Sequence, residues 1–182
     1  MPQLPLKLSL LALIGLRDPE QCDWATLRAL QYAQIHRYSL SRAIAHAMAA
    51  IITLSIFFGK VPLVYLALWP VGVAVALWNV MRIARSLAAI DRRSMTRRHF
   101  WRQAIGVLGS AIMWAIPLVF FAPFGSTTDH FALWTVVAML ISGSTFVMSI
   151  APMAAIVFTS VTGMAALASF ALEREWTFMA VV

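Results

Sequence analysis

Apolar residues in this chain come in long unbroken runs, separated by short polar breaks. A helix on the surface of a soluble protein shows one apolar stripe and one polar face. Here the runs are apolar all round, and their lengths approach the ~20 residues that a helix needs to cross a bilayer. The first run, Ala43–Phe58, lies between Arg42 and Lys60 and is slightly short. A helix starting near Tyr38 corrects this, with the Arg42 side chain snorkelling toward the headgroups. Gly59-Lys60-Val61-Pro62 reads as a tight turn. The second run is about Val61–Met81, with Pro70 near its middle. Proline is tolerated there because neighbouring helices satisfy the freed backbone groups. The third is about Gln103–Phe124, with Pro117 inside, followed by the polar turn 125–130.

From Phe131 to Leu172 there are 42 residues without a charge. As one helix they would reach ~63 Å, about twice the hydrocarbon thickness. They therefore predict two spans, about Phe131–Ile150 and Met153–Leu172, broken at Pro152. Glu173-Arg174-Glu175 is a polar turn, and Trp176–Val182 begins another apolar run. The expectation is an all-α polytopic membrane helix bundle, with five full spans and the start of a sixth. Residues 42–182 form the bundle, and a sixth span would carry the chain beyond Val182 into the cytoplasm.

Residues 1–41 form a separate N-terminal region. The run Leu8–Leu16 is too short to span, and no small-x-small cleavage site follows it, so a surface helix is preferred to a signal sequence. Within 23–41, Asp23 is an N-cap candidate, and Trp24, Leu27, Leu30 and Ala33 recur at helical spacing. An amphipathic helix at the membrane surface is expected.

Composition agrees with this pattern. Of 182 residues 62% are hydrophobic and 12% charged, and mean hydropathy is +0.83. A soluble domain is typically ~25% charged. A soluble enzyme, a disordered tail and a secreted disulfide scaffold are excluded. Net charge is +7, from 14 Lys and Arg against 7 Asp and Glu. Basic residues collect on the cytoplasmic side of membrane proteins. With the N-terminus in the cytoplasm, Lys7, Arg17, Arg28, Arg37 and Arg42 lie inside, together with the seven arginines of 82–102; the outer turns hold only Lys60 and Arg174. The topology therefore explains the charge without nucleic acid. Arg92, Arg93, Arg97, Arg98 and Arg102 become candidate contacts for anionic lipid headgroups. Ile83, Leu87 and Ile90 share a face, which suggests a partly interfacial helix in this segment.

Catalytic constellations are missing from the sequence. No acid lies within the predicted spans, and no phosphate-loop, dinucleotide, zinc-protease or paired-cysteine motif occurs. The single Cys22 forms no internal disulfide. His46 is the ionisable residue inside a span. It is a candidate for haem or metal ligation or for pH sensing, although a bis-histidine haem lacks a second histidine at similar depth. The competing reading is a hydrogen-bonded interfacial histidine. No cofactor is otherwise evident. Asn79 and the hydroxyl clusters with Ser142, Ser144 and Thr145, and with Thr159, Ser160 and Thr162, are candidates for helix packing across a hairpin or for a small polar pocket.

Several phrases together resemble a known arrangement. LRALQYAQIHRYSL leads into the first span, and a Trp-Pro sits in the second. An Arg-rich loop ends in FWR, and WAIPLVFFAP and SGSTFVMSIAPMAAIVFTSVTG follow. Over roughly residues 24–182 this resembles the N-terminal membrane region of proteobacterial cyclic-di-GMP signalling proteins. The resemblance implies a bundle of about six helices in the bacterial inner membrane, preceding cytoplasmic GGDEF and often EAL domains, and a homodimer. No GGDEF or EAL motif is present, so no enzymatic activity is carried onto this chain. The expectation is a sensor or anchor module, with membrane lipids as partners. The rivals are the input region of a membrane histidine kinase, a small transporter and a haem-binding membrane protein.

Overall fold

In the computed structural model, residues 37–90, 96–148 and 152–172 are described, together with Leu30 and Gln34. All regular structure among them is helical: α1 (Ser39–Phe57), α2 (Leu63–Ala88), α3 (Arg97–Ile116), α4 (Thr127–Met148) and α5 (Pro152–Leu172). The expected N-terminal helix, most of it, and the polar turn and apolar run after Leu172 lie outside the described residues. A π-turn, Pro117–Phe121, and a short 3-10 turn, Ala122–Phe124, continue α3. The α3 column packs against α2 on one side and α5 on the other, while α1 packs mainly on α4.

Among the described residues four stretches are long and apolar enough to cross a membrane: α1, α2, Trp101–Phe124 and α5. Their outward faces support this. Leu40, Ile44, Met48, Leu68, Val75, Phe120 and Met164 are all exposed. In water such a surface would be a large apolar patch, whereas in lipid it is the solvated face. The helix starts and stops follow local signals. Gly59 takes φ +76°, the left-handed backbone that lets the chain leave α1, and Pro62 precedes α2.

Two boundaries differ from the sequence expectation. The second span continues to Ala88, so Arg82–Ala88 belongs to α2 and not to a separate surface helix. The reason is a continuous inward stripe of Leu66, Trp69, Val73, Leu77, Val80, Ile83 and Leu87 at helical spacing. Gly106 of α3 makes room for it, since a Cβ there would lie 2.8 Å from Ile83 Cδ1. The third span begins at Arg97. His99 helps to start it, its Nδ1 accepting from the Thr96 backbone N–H at 3.1 Å as a glutamate does in a capping box.

The π-turn has an identifiable cause. Pro117 has no N–H, so the carbonyl four residues earlier, that of Met113, loses its helical donor. The Trp69 indole of α2 supplies one, at 2.7 Å. One turn further on, the Ala122 N–H donates to the Pro117 carbonyl in the wider π register.

Candidate functional site

The inward stripe of α1 is polar at one end and apolar at the other. It reads Ser39, Arg42, His46, Ala49, Ala50, Thr53 and Phe57, all buried. Each step is three or four residues, apart from the adjacent Ala49 and Ala50, so they share one face. Arg42 thus points into the bundle and does not snorkel. It is 5% exposed, and both terminal guanidinium nitrogens lack a hydrogen-bond partner. Burying an unpaired charge costs several kcal/mol.

One turn along, His46 is 2% exposed. Its Nδ1 accepts from the Trp114 indole N–H of α3 at 2.8 Å. An indole N–H can only donate, so Nδ1 carries no proton and the ring proton sits on Nε2. Phe158 of α5 meets the imidazole edge-on, with ring centroids 5.9 Å apart. One histidine therefore joins α1, α3 and α5.

Two cavities border this pair. The larger, about 140 Å³, lies between α1 and α4 and is lined by Ser41, Arg42, His46, Gly143 and Ser144 among others. It exceeds the ~15 Å³ that one water needs. The smaller, about 10 Å³, is bordered by Arg42, His46, Val107, Ser110 and Phe158. A more voluminous space, about 560 Å³, is an apolar groove along Tyr65, Leu68, Trp69, Met113 and Phe120. It has volume but almost no polar chemistry.

The other sequence candidates scatter around this centre. Ser144 lines the larger cavity and is buried. Thr162 is fully buried, with its hydroxyl donating to the Phe158 carbonyl of its own helix at 2.7 Å. Ser142 is exposed and bonds Ala138 in the same way. These two hydroxyls close onto their own helix, so they do not bond across the hairpin. Thr145, Thr159 and Ser160 are exposed. Asn79 is half-buried and its Oδ1 accepts from Arg82 at 3.2 Å. Arg98 and Arg102 are exposed near the start of α3, and Arg97 opens that helix. Arg92 and Arg93 lie outside the described residues.

Sequence reasoning missed Arg42 and Gln103. Gln103 is 2% exposed, and both its amide atoms lack partners. The signal for Arg42 was the spacing of 42, 46, 49 and 53. At the opposite end of the bundle, Lys60 Nζ pairs with Asp129 Oδ2 at 2.7 Å. The same oxygen accepts from the Ser126 backbone N–H and hydroxyl, capping α4. These bonds hold the Asp129 carboxyl down at about 2, chiefly through Lys60. His130 Nε2 meets the Ala122 carbonyl at 2.6 Å.

Among the described residues no group of three His, Cys, Asp or Glu side chains is placed to hold a metal. His99 and His130 are engaged far from His46, at the start of α3 and at the 3-10 turn. No family model, curated protein or solved structure matches the chain.

Proposed function

We propose that the chain is a membrane sensing and anchoring module that performs no catalysis itself. It relays a signal to cyclic-di-GMP output domains on the cytoplasmic side of a bacterial inner membrane. The observation that carries the sensing role is the buried Arg42–His46–Trp114 cluster, a charged and hydrogen-bonded centre inside an apolar bundle. Ionisable groups in membrane bundles are expensive and mark functional sites. A row of rings supports a relay from that centre. His46, Trp114, Trp69, Phe121 and Phe57 follow one another with centroids 5.3 to 5.9 Å apart. A ligand that binds one packing of this row better than another shifts the balance between them.

The finer topology belongs to the same proposal. The N-terminus lies in the cytoplasm behind an amphipathic surface helix, because the arginine-rich 82–102 segment belongs inside. The uncharged part of α4, from Phe131 to Met148, makes a further span of ~27 Å and brings the number to five. The apolar run Trp176–Val182 supports the start of a sixth. The resemblance to cyclic-di-GMP proteins also supports a homodimer. Haem at His46 is disfavoured, because Nδ1 spends its lone pair on the Trp114 indole and Nε2, the usual iron ligand, carries the ring proton.

The test is cyclic-di-GMP in cells that express the full gene product, with His46→Phe as the probe. A several-fold change against wild type supports the role. An unchanged level, or a reading frame encoding no cytoplasmic output domain beyond residue 182, contradicts it.

A further inference from the structure

We infer that the cavity beside Arg42 is a phosphate-binding site, filled by a phospholipid headgroup or by free phosphate. This deepens the sensing role by naming the ligand class, and it rests on that role for its purpose.

The groups around the cavity are donors. Arg42 brings its guanidinium fork, with both terminal nitrogens unused. His46, whose ring proton sits on Nε2, lines the same space, as do the hydroxyl-bearing residues Ser41 and Ser144. The only acid among the described residues is Asp129, at the far end and already paired with Lys60. A cation has no reason to enter such a site. An anion with several oxygens matches it, since a guanidinium binds phosphate in a planar two-bond fork.

Position favours phosphate as well. Arg42 lies one turn from the start of α1, at the depth where headgroup phosphates meet a spanning helix. Ser41, Ala45, Met139 and Gly143 on the rim are exposed, so the cavity opens sideways between α1 and α4. A headgroup can enter laterally and free phosphate from the aqueous side. The space beside Gly143 is open, since a Cβ there would touch nothing within 4 Å. Without an anion Arg42 is an uncompensated buried charge, and an anion converts it into a charge-assisted pair.

The experiment uses the purified full chain in a phosphate-free sugar detergent, stripped of lipid, with thermal unfolding followed by tryptophan fluorescence. One arm adds sodium phosphate against sodium chloride of matched ionic strength. The other adds short-chain phosphatidic acid against diacylglycerol. At saturation the wild-type midpoint is expected to rise by roughly 5 °C or more. Arg42→Lys keeps part of that rise and Arg42→Met none. Without anion, Arg42→Met is at least as stable as wild type, because it removes an unpaired charge. A rise with phosphate assigns the free ion, and a rise with the lipid alone assigns the headgroup. No rise in either arm overturns the site, as does an equal rise in Arg42→Met. Lower stability of Arg42→Met without any anion also overturns it, since the charge is then already met within the protein. If phosphate binds through Arg42 but cyclic-di-GMP levels ignore Arg42, the sensing role falls and the site stands.

Discussion

The two ends of the bundle solve the same problem in opposite ways. At one end every polar group named above has a partner: Lys60 has Asp129, Asp129 also has Ser126, and His130 has the Ala122 carbonyl. At the other, Arg42 and Gln103 are buried with polar atoms unmet. The first end joins the turn after α1 to the start of α4 and is a closed clasp. The second carries cavities, donors and an open rim. Buried groups left unsatisfied call for a separate explanation, and a ligand is the simplest that chemistry offers.

This contrast can be broken by substitution, and the largest effects are expected at the centre. Trp114→Phe leaves His46 Nδ1 buried without a donor and removes volume at a fully buried position. It should cost about 3 kcal/mol, read as a fall in unfolding midpoint. Trp69→Phe strips the donor from the Met113 carbonyl and should cost about 2 kcal/mol. Pro117→Ala restores a backbone N–H for that carbonyl. The double variant should therefore lose less than Trp69→Phe alone, and a strictly additive cycle would remove the stated cause of the π-turn.

The clasp end should respond less. Lys60 is 41% exposed, and exposed ion pairs contribute little. Asp129→Ala also removes the Ser126 cap, so about 1 kcal/mol is expected in thermal melts. The pH effect is smaller still. The Asp129 carboxyl is held down at about 2 in the folded chain, below its ordinary 3.8. Its contribution is complete above pH ~4 and is lost as pH falls through 2. A melt series from pH 6 to 2 should show this loss in wild type and not in Asp129→Asn.

Much of the helical layout was legible because apolar run length is a local signal. Pro152 begins α5 and Leu172 ends it, within a residue of the expected span. The extension of α2 was less visible, since Ile83 and Leu87 read equally well as an interfacial stripe or as a continued core stripe. Only Gly106 on a distant helix decides between them. His46 was legible as an ionisable residue in an apolar run. Its partner Trp114 was not, because 68 residues separate them. The shortness of the first apolar run sends Arg42 to the headgroups, yet its spacing from His46 and Thr53 already places it inward. The hydroxyl clusters misled in part, because helical geometry lets Ser142 and Thr162 bond their own backbone.

The most direct test of the unsatisfied end is native mass spectrometry of the chain released gently from membranes. Wild type should retain one phosphate-bearing adduct, either a phospholipid or phosphate itself, and Arg42→Met should lose it. Equal adducts on both proteins, or none on wild type, would contradict the account.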